Sequence, residues 1–184
     1  EAFAVTAQVF IEGRTKAGAT VSVRSARGRE VSRTPMICSN PGLDRWTAMV
    51  SIGEHSDLKP WDADYASVKR QLGDWNVVIE GWEDTYQSWL HDAAIKVEVG
   101  DDVENALESG AQLLARWAGA KDSKLSATDK KILQAAAKTM ADKSLSPADR
   151  LAAAETADIQ RLHETNPLRD GLSESNPQRF RVER

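Results

Sequence analysis

The sequence has a single cysteine, Cys38, so no disulfide can form within the chain. A cysteine-poor composition is typical of proteins from reducing compartments and favours a cytoplasmic location. No apolar run approaches the roughly 20 residues that a membrane-spanning helix requires, and the first residues lack the basic and then apolar pattern of a signal peptide. These absences predict a cytoplasmic protein with no membrane partner.

The sequence also lacks the short motifs that carry common catalytic and cofactor chemistry. It contains no HExxH or CxxC metal pattern, no GxSxG nucleophile elbow, and neither the P-loop nor the dinucleotide-binding glycine pattern. Its three histidines, His55, His91 and His163, share no spacing, and we expect each to be a surface residue. We expect Cys38 to be a small buried side chain rather than a reactive thiol. We therefore predict no catalytic, cofactor-binding or metal-binding residues, and no cofactor.

Neither sign of charge is in large excess. Lys and Arg number 24 and Asp and Glu number 28, which gives a net charge of −4. Nucleic acids and anionic membranes attract Lys and Arg clusters, so a mildly acidic chain is a poor candidate for binding either. With 184 residues, 41% of them hydrophobic, the chain is long enough for one sizeable domain or two small ones with a real core.

The first half of the sequence contains a series of short strand patterns. Apolar and polar residues alternate in Phe3–Val9, around Val21 and Val23, in Val31–Cys38 and in Trp46–Ile52. Gly28 and the turn sequence Asn40-Pro41-Gly42 separate these stretches. Strands at this spacing predict an antiparallel β-sandwich of immunoglobulin type. The sequence then predicts a polar loop from Gly53 to Asp74 that has room for a short helix from Asp62 to Leu72.

Two kinds of periodicity meet between Trp75 and Gly100. Trp75, Val77 and Ile79 alternate with Asn76, Val78 and Glu80, which is the period of a strand. From Asp84 onward, apolar residues recur three or four positions apart, which places them on one side of a helix. The sequence therefore predicts that sheet gives way to helix at this point.

Beyond this junction the patterns are helical. We predict helices from about Asp101 to Gly119, after a capping box at Ser126, and from Ser146 to about Glu164. With the helix after Trp82 they make four helices in a row, which implies a small bundle ending at Asn166-Pro167. Phe180 and Val182 alternate with charged residues and predict a last strand that returns to the sandwich.

These predictions amount to an α+β fold, an immunoglobulin-like antiparallel β-sandwich with an inserted helical bundle. The sandwich would occupy residues 1–82 and be completed by a strand near 178–184. The bundle would occupy residues 83–166, and residues 167–177 would link the two.

Six tryptophans raise the question of sugar binding, because an indole can stack on a sugar ring as well as fill a core. Five of them fall on predicted apolar faces or at the junction of sheet and helix, and we expect these to pack internally: Trp46, Trp75, Trp82, Trp89 and Trp117. Trp61 lies in a predicted loop, where a loop anchor, a sugar contact and a subunit contact all remain open.

A pair of carboxylates is the first chemistry to seek in any glycan-processing protein, since retaining glycosyl transfer uses two of them roughly 5 Å apart. Asp and Glu are plentiful, but none lies in a context that predicts such a pair. Glu83 and Asp84 follow Trp82 where a helix begins, and acids favour helix N-termini. We therefore predict capping rather than catalysis at this position.

The junction also carries a family resemblance. The residues involved are Trp75, Val78, Ile79, Glu80, Trp82, Asp84, Tyr86, Trp89, Lys96, Val97, Gly100, Asp101 and Val103, followed by Gly110, Leu113 and Leu114. Val9, Phe10, Gly13, Pro35, Met36, Asp44, Arg45 and Trp46 fit the same pattern earlier in the chain. Together they resemble the N-terminal region of the bacterial alpha-1,4-glucan:maltose-1-phosphate maltosyltransferases, relatives of the alpha-amylases of glycoside hydrolase family 13 type.

The resemblance implies a non-catalytic domain of a larger glycosyltransferase of α-glucan biosynthesis. The parent would transfer maltosyl units from α-maltose 1-phosphate to the non-reducing ends of α-1,4-glucans. This region would support the catalytic barrel of the same chain and contribute to a homodimer. Two alternatives stay open: a carbohydrate-binding module in which Trp61 and Trp82 stack on α-glucan, and a protein-interaction domain unrelated to glycans.

Overall fold

A computed structural model describes residues 2–52, 59–63, 65–121 and 123–183. Two compact units make up the chain. The strand unit comprises Ala17–Glu83 with the stretches before Gly13 and after Asp170, and the helical unit comprises Gly13–Lys16 and Asp84–Asp170. The described residues form two antiparallel sheets together with helices, so the predicted α+β class is confirmed. Among the described helices, none combines the length and apolar content that a membrane crossing would require.

The strands and the first helix are short and closely spaced along the sequence. Their bounds are β1 (Ala2–Gln8), β2 (Ala17–Ser25), β3 (Glu30–Pro35), β4 (Ile37–Asn40), β5 (Arg45–Ser51), α1 (Tyr65–Arg70), β6 (Gly73–Glu83), β7 (Asp170–Glu174) and β8 (Gln178–Val182). One sheet has the order β1-β5-β4, and the other has the order β3-β2-β6-β7 with β8 also paired to β6.

The core of the strand unit takes side chains from both sheets. Val50 comes from β5, whereas Val21, Trp75 and Val77 come from β2 and β6. In β1 half-buried and exposed residues alternate as predicted, since every second side chain of a strand points to the same face. The predicted last strand is confirmed as β8, in which Phe180 is the register partner of Trp75.

The prediction of one strand over Val31–Cys38 is wrong. Strand β3 ends at Pro35 in one sheet, and β4 begins at Ile37 in the other. Between them the Met36 N–H donates to the Ala19 carbonyl at 2.9 Å, and the Met36 side chain is buried. Pro35 has no N–H to donate, and the N–H of Met36 is already bonded to Ala19. The chain can therefore change sheets here without leaving either residue with an unpaired donor.

The described residues of the helical unit form five helices. They are α2 (Thr85–Val99), α3 (Val103–Gly119), α4 (Ala127–Ala141), α5 (Pro147–Ala152) and α6 (Ala157–Thr165). Their shared core includes Leu107, Leu114, Leu133, Ile159 and Leu162, all fully buried. The predicted capping box is confirmed, because the Ser126 hydroxyl accepts from the Asp129 N–H while the Asp129 carboxylate accepts from the Ser126 N–H.

Two features of the C-terminal half differ from the prediction. The single helix expected from Ser146 to about Glu164 is in fact α5 and α6, since Thr156 acts as a new cap and its hydroxyl accepts from the Ile159 N–H. Strand β7 also lies within the stretch that we expected to be a linker. Its sequence, DGLSE, has no alternation of apolar and polar residues that could have indicated a strand.

Candidate functional site

A tight turn presents Trp61 at the surface of the strand unit. The Asp62 N–H donates to the Lys59 carbonyl at 2.8 Å, and Pro60 occupies the position of such a turn that its fixed φ favours. The Asp62 carboxylate accepts from the Lys59 N–H at 2.7 Å and so closes the turn a second time. The turn leads into α1, because the Tyr65 N–H donates to the Asp62 carbonyl at 3.0 Å.

A salt bridge links this turn to the hairpin between β2 and β3. Arg29 donates from Nη1 and Nη2 to the two carboxylate oxygens of Asp62, at 3.0 and 3.4 Å. The hydrogen bond from the Lys59 N–H and the Arg29 guanidinium hold the pKa of Asp62 below its ordinary value. Asp62 is therefore ionised at neutral pH and is committed to holding the turn.

The exposure of Trp61 separates it from the other tryptophans. Its side chain is 81% exposed, whereas Trp75, Trp82 and Trp117 are buried. Trp46 and Trp89 are half-buried, and their indole N–H groups donate to the carbonyls of Val9 and Ala106 at 2.9 Å. The prediction of internal packing is confirmed for these five. The burial of Trp82 also excludes it as a stacking platform, since a buried indole cannot contact a sugar ring.

Asp84 performs the predicted cap. Its Oδ1 accepts from the Gln87 N–H at 3.0 Å at the start of α2. Its Oδ2 lies 2.7 Å from Nε2 of His163 in α6, so this one carboxylate joins the two helices. The expectation that His163 is a surface residue is wrong, because it is half-buried and its ring centroid lies 5.1 Å from that of Tyr86. His91 is exposed as expected, and His55 lies outside the described residues.

Glu80 is a buried carboxylate that sequence reasoning missed. It is 1% exposed, and the Thr20 hydroxyl donates to its Oε2 at 2.6 Å. Its Oε1 lies 3.3 Å from Nη2 of Arg33 and 3.5 Å from Nη2 of Arg24. The available signal was the complementary alternation of Thr20, Ser22 and Arg24 in β2, but it becomes visible only once β2 is paired with β6.

This arrangement makes Glu80 a structural carboxylate. Both of its oxygens are occupied by cations or a hydroxyl from neighbouring strands, which stabilise the buried charge. Among the described residues, no group of three or more His, Cys, Asp and Glu side chains is arranged to hold a metal ion. Cys38, expected to be buried, is a half-buried free thiol. The exposed indole of Trp61 is the candidate ligand contact.

Comparison with known proteins places the chain in a family. The family model described as "Alpha-1,4-glucan:maltose-1-phosphate maltosyltransferase, domain N/S" matches residues 1–184. Proteins named alpha-1,4-glucan:maltose-1-phosphate maltosyltransferase are similar over the whole chain: that of Bifidobacterium longum (strain NCC 2705) is 67% identical and that of Bifidobacterium animalis subsp. lactis is 58% identical. A third, from Streptomyces coelicolor, is numbered 1 and is 37% identical over the whole chain.

The chain spans about a quarter of the length of these relatives, 25% of each bifidobacterial protein and 24% of the streptomycete one. The family resemblance inferred from the tryptophan-rich junction is thereby confirmed. The chain belongs to the domain N/S family of alpha-1,4-glucan:maltose-1-phosphate maltosyltransferases.

Proposed function

We propose that this chain is the non-catalytic N-terminal domain of a maltosyltransferase. The parent enzyme transfers maltosyl units from α-maltose 1-phosphate to the non-reducing ends of α-1,4-glucans. The observation that carries the proposal is the match of the domain N/S family model to residues 1–184, together with relatives of that name that are about four times as long.

The contacts of two buried carboxylates, Asp84 and Glu80, support a non-catalytic role. Asp84 is occupied as a helix cap and as the partner of His163, and Glu80 is held by Thr20 and Arg33. A retaining glycosyl transfer needs a carboxylate that can attack carbon and an acid that can donate a proton to the leaving group. Because their oxygens are committed to internal partners, these two carboxylates suit neither task.

The proposal includes a finer description of the fold. The two sheets form an immunoglobulin-like sandwich of residues 1–82 with a closing strand near 178–184. A bundle of residues 83–166 is inserted before that strand, and residues 167–177 lead back to the sandwich. The observation in support is that β2 and β8 both pair with β6, although they lie on opposite sides of the helices in sequence.

In the parent, the domain supports the catalytic barrel of the same chain and contributes to a homodimer in the cytoplasm. The isolated chain should then release no phosphate from maltose 1-phosphate in the presence of a maltooligosaccharide, while the full-length parent should release it. Phosphate release by the isolated chain would contradict the non-catalytic role. If the domain contributes to the dimer, a parent without the domain should have the solution mass of one truncated chain rather than of two.

A carbohydrate-binding module is the second candidate, and the exposure of Trp61 favours it. The two candidates are compatible within one protein, since a domain that supports a catalytic barrel can also hold the substrate polymer. Calorimetric titration of the chain with maltooligosaccharides separates a domain with both roles from a purely structural one.

A further inference from the structure

The Trp61 turn differs from an ordinary exposed loop because it is held in place. Two hydrogen bonds close it between Lys59 and Asp62, and the Arg29 salt bridge ties it to a neighbouring hairpin. All six tryptophans lie in the described residues, and Trp61 alone is exposed. The backbone that carries the indole is therefore held in place, so a ligand that contacts Trp61 does not have to order this turn, and less conformational entropy is lost on binding.

The surroundings of the indole are polar rather than apolar. Lys59 and Pro60 precede it at exposed positions, and Asp62 and Arg29 form an ion pair beside it. The hairpin that carries Arg29 also carries Arg27 and Glu30, which are two further charges. An interface between proteins needs a wide contact, about 800 Å² on each side, with an apolar centre. One indole among charges suits a small ligand that is flat, apolar on its face and polar at its rim.

A pyranose ring has that character, because its axial C–H groups form an apolar face and its hydroxyls form a polar rim. We infer that Trp61 is a stacking platform for a glucose residue of an α-1,4-linked glucan, at a site on the strand unit. The identity of the sugar rests on the proposed function, since the relatives are named for an α-1,4-glucan. The role of the site is to hold the polymer while the chemistry occurs elsewhere in the parent.

The test is calorimetric titration of the chain with maltohexaose. Trp61→Ala should weaken binding by at least about tenfold, as expected for the loss of a central aromatic contact. Trp61→Phe should lose less, because a smaller ring can still stack. Phe10→Ala is the matched control, since Phe10 is another exposed aromatic residue at 68% and should not affect binding. Unchanged affinity in Trp61→Ala, or no binding by the unmodified chain, would overturn the inference.

Two further measurements separate this inference from its alternatives. Equal affinity for cellohexaose would overturn the assignment to an α-linked glucan. If Trp61 were a subunit contact instead, Trp61→Ala in the full-length parent would lower its solution mass, which would also overturn the inference.

Phosphate release from maltose 1-phosphate by the full-length parent is measured in parallel. If the parent releases no phosphate, the proposed function is wrong. If the parent releases phosphate but the chain does not bind maltohexaose, only the role of Trp61 is wrong. If the inference is correct, Trp61→Ala in the parent leaves the rate of phosphate release unchanged at a saturating concentration of a short acceptor. The same substitution lowers that rate when the acceptor is a long glucan at low concentration.

Discussion

Gly110 in α3 lies directly against the indole of Trp89 in α2. A Cβ atom built on Gly110 would be 2.0 Å from Cζ2 of Trp89 and 2.6 Å from Cε of Met140. Non-bonded carbon atoms prefer separations of about 3.5–4.0 Å, so no side chain fits here without displacing the ring. Glycine within a helix costs about 1 kcal/mol relative to alanine, and at this position the close packing of the two helices offsets that cost.

We predict that Gly110→Ala destabilises the protein by about 1–3 kcal/mol, as overpacked cores generally do. Urea unfolding followed by tryptophan fluorescence measures the change, and the emission of Trp89 should shift as its ring moves. Gly119→Ala is the control on the same helix, because a Cβ there meets no heavy atom within 4 Å. If Gly110→Ala were as stable as Gly119→Ala, the close contact with Trp89 would be wrong.

The part of this fold that follows from sequence is the part with local causes. Asp84 and Ser126 cap helices through backbone groups three positions away, and such spacing can be recognised in the sequence alone. The alternation in β1 and β6 likewise depends on neighbouring residues. Gly110 lies within a helix that the sequence predicts, but this position requires glycine because of a tryptophan 21 positions earlier, which no local pattern indicates.

The features that escaped prediction depend on partners distant in sequence. Strand β7 forms by pairing with the edge of β6, whereas the residues of β7 themselves show no strand pattern. His163 is half-buried next to Asp84, which lies 79 positions earlier and whose Oδ2 is 2.7 Å from the His163 Nε2. For the candidate site, sequence reasoning identified Trp61 as the tryptophan outside the apolar patterns. The salt bridge to Arg29 that fixes its turn could not be foreseen.

Arg150 provides a second test of the helical unit. It is 2% exposed, its Nε donates to the Met140 carbonyl at 2.6 Å, and its Nη1 donates to Glu104 at 2.7 Å. Arg150→Met keeps much of the volume but leaves the Met140 carbonyl without this donor. We expect a loss of about 1–3 kcal/mol, the usual cost of a buried group deprived of its hydrogen bond.

Chemical denaturation of Arg150→Met measures this loss. Arg161→Met is the matched control, because Arg161 is half exposed and pairs with Asp129 and Asp158 at the surface. Surface ion pairs contribute about 0–1 kcal/mol, so the control should change little. Equal effects of the two substitutions would show that the buried contacts of Arg150 do not stabilise the fold.

Asp170 should make stability depend on pH in the acidic range. Arg116 donates to both of its carboxylate oxygens, at 2.6 and 2.8 Å, and this pairing holds the pKa of Asp170 below its ordinary value of 3.8. Between the folded and unfolded pKa values the unfolded chain binds more protons, so this contribution is present above pH 3.8 and is lost as pH falls further.

The stability advantage of the unmodified chain over Asp170→Asn should therefore shrink as pH is lowered from 5 toward 2. Arg116→Gln gives a direct check, because the pKa of Asp170 measured by NMR titration should rise once the guanidinium is removed. A pKa that stays low in Arg116→Gln would assign the shift to another cause, such as the hydrogen bond from the Thr85 hydroxyl at 2.6 Å.

Tyr86 should make stability depend on pH in the alkaline range, where its contribution is lost as pH rises. Its hydroxyl donates to the Ala154 carbonyl at 2.7 Å among the rings of Trp117 and His163, and burial raises its pKa from 10.0 to about 12. Between these values the unfolded chain loses the Tyr86 proton while the folded chain keeps it. The associated stability is thus fully present below pH 10 and disappears as pH rises toward 12.

Tyr86→Phe removes the ionisable group together with one hydrogen bond. At pH 7 we expect it to be less stable by about 1 kcal/mol, the net contribution of a typical hydrogen bond. Between pH 10 and 12 that difference should narrow, because only the unmodified chain gains from ionising Tyr86 on unfolding. Thermal unfolding across this range measures the narrowing, and Tyr65→Phe serves as the control. A difference that stayed constant to pH 12 would mean that the folded protein ionises Tyr86 as readily as the unfolded chain does, which contradicts the burial of Tyr86.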